Sequence, residues 1–336
     1  MKFRMTIAAF LAGLTLAAHA QTASAASEVR IARQYGIAYL PMTIMERDKL
    51  VEKYARAAGL KDVTVKWSTF AGANVMNDAL LSNSLDLAAV GTTVLPLMWS
   101  KTKGTPQEIK GVCAIASAPH LLNTRNPNVK SIRDFSSSDR IALPAAKVSI
   151  QAVELQMAAS QAFGMKNYGK LDAITVSRSH PDAMAALLSG TSEIDAHFTW
   201  APYSFRELKD PRIHTVLNSF DVLGGPTTTI LILGTKRFHD QNPKLYEAFL
   251  KAMHAAGETI KTNKPYAAKV YLEATKDTDS LADVEKMLND PQIQYTIMPQ
   301  RVEKFVTFMH EIGTLKTVPA SWQEMFFPEV FTLGAP

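Results

Sequence analysis

The groups in this chain that could do chemistry are a few histidines, hydroxyls and one placed lysine, and their spacing decides what chemistry is open to them. His120, His180 and Asp182 lack the spacing of a metal site or a catalytic triad, and His197 sits in an apolar run where a buried structural histidine fits. No H-E-x-x-H, C-x-x-C, G-x-S-x-G or phosphate-loop motif occurs. These residues point to binding rather than turnover, with no enzyme activity, cofactor or metal expected. The strongest binding signal is residues 80–96. Leu80-Leu81 ends a helix, a polar turn follows, residues 87–90 form a short buried strand, and Gly91-Thr92-Thr93 opens another helix. Thr92 or Thr93 suits an N-cap, with Pro96 tolerated in the first turn. A strand that delivers small hydroxylated residues to a helix start can hold a small polar or anionic ligand on unpaired N–H groups. Plain capping explains the same threonines, and both roles can hold together. Lys147, at a helix start, does not complement the dipole, so it is either a solvated charge or a partner for an anionic ligand. Trp200, at a strand's end, is either core or a ligand platform.

The elements that position these residues follow from periodicity. A strand over 29–33 leads through an aromatic loop to a helix that runs from Pro41 to Gly59. Residues 63–67 alternate as a strand, and 70–74 turn into the helix ending at Leu81. Strand, helix, strand, helix, strand predicts a βαβ sheet with right-handed crossovers. Further on, the spacing predicts strands over 109–115, 140–144, 172–177 and 194–198. It predicts helices over 131–135, 145–163 and 181–188. The pattern of 80–96 returns loosely at 187–202, which reads either as two generic helix–turn–strand units or as two similar lobes facing one cleft. Gly224-Gly225-Pro226 breaks the pattern before a strand over 228–233, and the rest is mainly helical. Val302, Phe305, Val306, Phe308, Met309 and Ile312 are spaced as one apolar face. No linker or charge run separates modules, so the lobes share interleaved chain.

Composition bounds the class. The 336 residues suffice for two domains, and 47% hydrophobic with 20% charged content is ordinary for a globular protein. Residues 1–25 read as a secretory signal peptide: Met1-Lys2-Phe3-Arg4 is a basic head, an apolar run follows, and Ala18-His19-Ala20 or Ala23-Ser24-Ala25 fits the cleavage site. Its removal takes two basic residues away, lowering the formal charge from +5 to +3. That is too mild to argue for nucleic acid. Cys113 is the single cysteine, so no intramolecular disulfide can form. A periplasmic protein is the expectation.

The ordered residues Tyr35-Gly36…Leu40-Pro41, Trp67…Phe70-Ala71-Gly72, Ala79-Leu80-Leu81-Ser82…Leu85-Asp86-Leu87-Ala88, Ile194-Asp195-Ala196…Trp200-Ala201-Pro202 and Ser321-Trp322-Gln323-Glu324-Met325-Phe326-Phe327 carry a family likeness. The chain resembles the periplasmic solute-binding proteins of bacterial ABC importers in the nitrate, sulfonate and taurine group, which includes binders of thiamine-pyrimidine precursors. The resemblance implies an α/β, two-lobed type II periplasmic-binding fold with the ligand cleft between lobes. It implies one lobe from 26–121 with 229–336, a second from 122–228, and crossings near 121–125 and 228–235. It implies a monomer whose partners are a small-molecule ligand and a membrane permease, not nucleic acid. Cleft loops at helix starts would then contact ligand through Gln34, Tyr35, Tyr39, Phe70, Gly72, Gly91, Thr92, Thr93, Pro119, Lys147, Ser149, Gln151, Thr199 and Trp200. Ser136-Ser137-Ser138-Asp139 replaces the family's usual Lys/Gly-rich turn, and Ala201 stands where sulfonate relatives often have an acid. The ligand is therefore left between a small anionic or zwitterionic organic solute and a neutral heterocycle. A secreted enzyme would need an activated nucleophile or metal.

Overall fold

The computed structural model describes residues 28–333, and the expected signal peptide lies outside the described residues. Two sheets organise the chain. The first contains β1 (Glu28–Arg33), β2 (Thr64–Thr69), β3 (Leu87–Gly91) and β4 (Ile109–Ser117). The second contains β5 (Leu121–Thr124), β6 (Ile141–Leu143), β7 (Thr175–Ser177), β8 (Ala196–Thr199) and β9 (His214–Asn218). The chain then returns to the first sheet as β10 (Thr228–Thr235) and β11 (Gln294–Tyr295), giving orders β11-β4-β10-β3-β1-β2 and β7-β6-β8-β5-β9. β1 pairs in parallel with β2 and β3, as the alternation of strands and helices requires. β3 is buried throughout and β4 at every residue but Lys110, Cys113 included, as apolar runs covered on both faces should be.

The chain passes between sheets at Ala118-Pro119-His120 and returns through residues 219–227. The segments expected to be crossings are strands instead. β5 is paired on both edges, by β8 and β9, and β10 lies antiparallel between β3 and β4. The crossings thus directly precede the two segments near which they were expected.

Three local expectations fail for identifiable reasons. The helix expected over 41–59 is two, Leu40–Arg47 and Leu50–Ala57, broken at the left-handed Lys49. Residues 131–135 form a turn, because the Asp134 carboxylate accepts the backbone N–H of Lys130 and Ser131 and so competes with helix formation. The helix expected from Ala145 begins at Ile150, where Ser149 Oγ accepts the N–H of Ala152. By contrast Val302, Phe305, Val306, Phe308 and Met309 form a buried stripe on the helix Val302–Glu311.

The C-terminal segment is seated on β4. Phe327 N–H donates to Gly111 O at 2.9 Å, and a Cβ at Gly111 would lie 2.4 Å from the Phe326 ring. That ring is itself held edge-on by Trp322 and Phe331, so it has little room to retreat. Gly111→Ala should therefore overpack the contact and destabilise the protein by about 1–3 kcal/mol. Urea unfolding checks it, and a variant as stable as the parent would show that the ring moves freely.

Candidate functional site

The cleft between the two sheets collects the ends of strands and the starts of helices. Tyr39 precedes the first turn of Leu40–Arg47, and Ala73 begins the helix Ala73–Leu81. Val94 begins Val94–Thr102, Ser149, Ile150 and Gln151 open Ile150–Phe163, and His180 begins His180–Ser189. All of these residues line one cavity, with Gln34, Tyr35, Gly91, His120, Pro144, Ala145, Trp200 and Ile230. Five helix N-termini thus meet at one place. None of the lining side chains is Asp, Glu, Lys or Arg. The first N–H groups of a helix have no acceptor within it and the aligned peptide dipoles put positive potential there, although here those of Leu40, Leu95, Ala152 and Asp182 are bonded to Ile37 O, Thr92 O, Ser149 Oγ and Ser179 Oγ. The two halves approach closely: a Cβ on Gly91 would come within 3.0 Å of Ile150, and the cavity holds about 30 Å³.

A buried polar chain runs behind the cleft. Glu207 Oε2 accepts Asn123 Nδ2 at 2.9 Å, and its Oε1 lies 2.6 Å from His197 Nδ1. His197 Nε2 faces His180 Nδ1 at 2.9 Å, with Thr199 Oγ1 3.0 Å from the same His180 nitrogen. His180 Nε2 is 3.3 Å from Gln151 Nε2. The pattern assigns the protons: His197 donates from Nδ1 to Glu207, His180 donates from Nδ1, and His180 Nε2 is left as an acceptor at the cleft. Burial first, then the neighbouring His197 and His120, push the His180 pKa well below the usual histidine value.

Beside it, the His120 ring stacks on Trp200 at 5.1 Å, and Tyr39 meets Trp200 edge-on at 5.6 Å. His120 Nδ1 lies 2.8 Å from Glu154 Oε2, within ion-pair range but without hydrogen-bond alignment, so both atoms are counted as unpartnered. His120 Nε2 and Trp200 Nε1 are likewise buried with no partner among the described residues. Unsatisfied buried groups cost free energy, and here both belong to side chains that line the cavity.

Seven of the residues singled out from sequence line the cavity: Gln34, Tyr35, Tyr39, Gly91, Ser149, Gln151 and Trp200. The other seven stand elsewhere. Thr92 Oγ1 donates to Thr228 O at 2.6 Å, a tie between strands rather than a cap. Thr93 occupies the N-cap position without a side-chain cap bond. Gly72 is the N-cap residue beside the lining Ala73, and Phe70 packs half-buried on the core. Pro119 is buried next to the lining His120, and Thr199 lies fully buried on His180. Lys147 is exposed in a left-handed turn, φ 67°, and borders a separate groove with Asp172 and Tyr168. The helix starts three residues after it, so Lys147 stands outside the first turn. The sequence reading missed His180, and it took in His120 only as the end of a candidate cleft loop, residues 117–120. The available signal for His180 was its position at the first residue of a helix.

Lys147→Met should leave solute affinity within about twofold, because a surface change away from a site stays near 0.5 kcal/mol. Calorimetric titration checks this. A tenfold loss with an unchanged melting temperature would put the ammonium in the cleft.

Comparison with known proteins agrees with this architecture. The alkanesulfonate-binding protein SsuA of Xanthomonas axonopodis pv. citri, solved with MOPS, superposes with a TM-score of 0.69 at 17% identity, covering 88% of this chain and 96% of that one. The periplasmic nitrate-binding protein NrtA of Synechocystis PCC 6803 gives 0.68 at 14% identity, covering 92% and 88%. A Candida albicans gene product described as having the generic periplasmic binding protein fold gives 0.62 at 13% identity, covering 87% and 92%. No curated protein sequence matches the chain. The sequence model of the NMT1-like family matches residues 23–273. On that match, and with the periplasmic binding protein fold, the chain belongs to the NMT1-like family.

Proposed function

We propose that this chain is the periplasmic solute-binding component of an ABC importer, capturing a small anionic or zwitterionic organic solute as two lobes close on it. The observation that carries this reading is the convergence of five helix starts on one cavity with no acidic side chain in its lining. Trp200 Nε1, buried and unpartnered, adds an N–H donor. Two structural relatives, an alkanesulfonate-binding and a nitrate-binding protein, bind anions as well. In this reading residues 26–121 with 229–336 form one lobe and 122–228 the other. The narrow cavity excludes a larger solute until the lobes part. In this reading the solute is held and released chemically unchanged. The permease is the expected protein partner.

A second reading, a neutral heterocycle, draws on the aromatic wall of Tyr39, Trp200 and His120. Thermal unfolding with methanesulfonate, taurine, acetate, nitrate and a pyrimidine separates the two. A solute that binds only the folded state stabilises it by about 2.7 kcal/mol at a hundred times its Kd. At least one anion should raise the melting temperature and be recovered chemically unchanged. A response to the pyrimidine alone would favour the heterocycle, and a response to nothing would remove both readings. Trp200→Phe, which keeps a ring and deletes the N–H, should weaken the bound anion about tenfold, a loss of roughly 1.4 kcal/mol. Unchanged affinity would take the indole N–H out of the contact.

A further inference from the structure

We infer that the cleft binds its anion together with a proton, and that His180 carries that proton as the counter-charge, held in place by the buried chain His197–Glu207. The inference rests on the anionic reading above and adds what neutralises the solute. A negative charge enclosed between the lobes needs compensation, and helix dipoles supply only partial charges. No Lys or Arg lines the cavity. The titratable cavity side chains that can become positive are His120 and His180.

His180 is the better placed of the two. Its Nε2 is an acceptor at the cavity wall, contacted only by the Gln151 amide at 3.3 Å, a bond at the long end of the range. A proton there turns the acceptor into a donor aimed at the solute. The positive charge is then spread toward Glu207 through His197, across contacts of 2.9 and 2.6 Å. His197 and Glu207 lie outside the cavity lining and act as positioning residues.

The charged and titratable groups around His180 come from every element packed on it. His197 faces it from β8, and Tyr203 stacks on it at 5.4 Å from the short helix Tyr203–Glu207. His120, paired with Glu154, faces it from the crossing segment and the helix Ile150–Phe163. Tyr35 and Tyr39 line the same cavity, and Asp182, on its own helix, is bonded to Ser179. In the free protein burial and the two histidines keep His180 neutral, and a bound anion acts in the opposite direction. The sign follows. Affinity is highest at low pH and falls about tenfold per pH unit while one proton is taken up per anion, becoming flat above the bound-state pKa.

The test uses nitrate and methanesulfonate, whose own charge stays constant between about pH 5 and pH 8, where an imidazole can titrate. Calorimetric titration of the intact protein in buffers of different ionisation enthalpy reads protons taken up per anion without any variant. Uptake approaching one proton, with affinity falling as pH rises, is the expected result. His180→Gln should abolish both the uptake and the pH slope. Glu207→Gln should move the slope to lower pH, because the positive charge loses its counter-carboxylate. Tight binding of either anion with no proton uptake and a flat pH profile overturns the inference while leaving the anion receptor intact. Failure of both anions to bind at any pH in that range overturns it together with the anionic reading. A sloping profile that survives in folded His180→Gln assigns the proton elsewhere and also overturns it.

Discussion

Three consecutive threonines, Thr227, Thr228 and Thr229, sew the two chain crossings together, and the geometry of the cleft depends on that seam. Ser117 Oγ donates to Thr227 O, Ala118 N–H donates to Thr229 Oγ1, and Thr229 Oγ1 donates to Ala118 O. Thr92 bonds Thr228 O through its hydroxyl and Thr229 O through its N–H. Gln300 exchanges two further bonds with Thr228. The seam is buried, so each bond left unmade would expose a desolvated group without a partner. It fixes where the outgoing chain delivers His120 and where β3 ends at Gly91. The second sheet and its helix starts are thereby registered against the first.

What the seam brings together is electrostatically unusual. A cavity with an aromatic wall, five helix mouths and no Asp, Glu, Lys or Arg in its lining meets a negative charge first with helix-start N–H groups. The carboxylates stand one layer back, Glu154 against His120 and Glu207 against His197, each buried. Glu207 orients the His197 imidazole through a hydrogen bond, and neither carboxylate lines the cavity. Glycines keep the halves close: Gly36 leaves room for the Trp200 indole, where a Cβ would sit 2.6 Å from Nε1, and Gly91 leaves room for Ile150.

The sequence was readable where local patterns and tertiary demands agree. The parallel unit through β3 followed from alternation of strand and helix, and the cavity residues Gly91, Ser149, Gln151 and Trp200 followed from strand ends and helix starts. It failed where a few residues of helix boundary decide the outcome. Ala145 and Ile150 were both possible starts, and only the capping bond of Ser149 placed Lys147 outside. The threonines at 92 and 93 were read as local caps, but Thr92 bonds 136 residues away, which no local pattern encodes. The buried chain is hidden for the same reason, since Asn123, His180, His197 and Glu207 lie far apart in sequence. A histidine in an apolar strand, such as His197, gives no sign of which partners satisfy it.

The account is tested most directly by a crystal structure of the complex with methanesulfonate. The sulfonate oxygens should lie in the cleft against the N–H groups of Ile150 and Gln151 and against Trp200 Nε1, with no lysine or arginine within hydrogen-bonding distance. A sulfonate held by lysine or arginine side chains outside the cleft, such as in the groove beside Lys147, would contradict it.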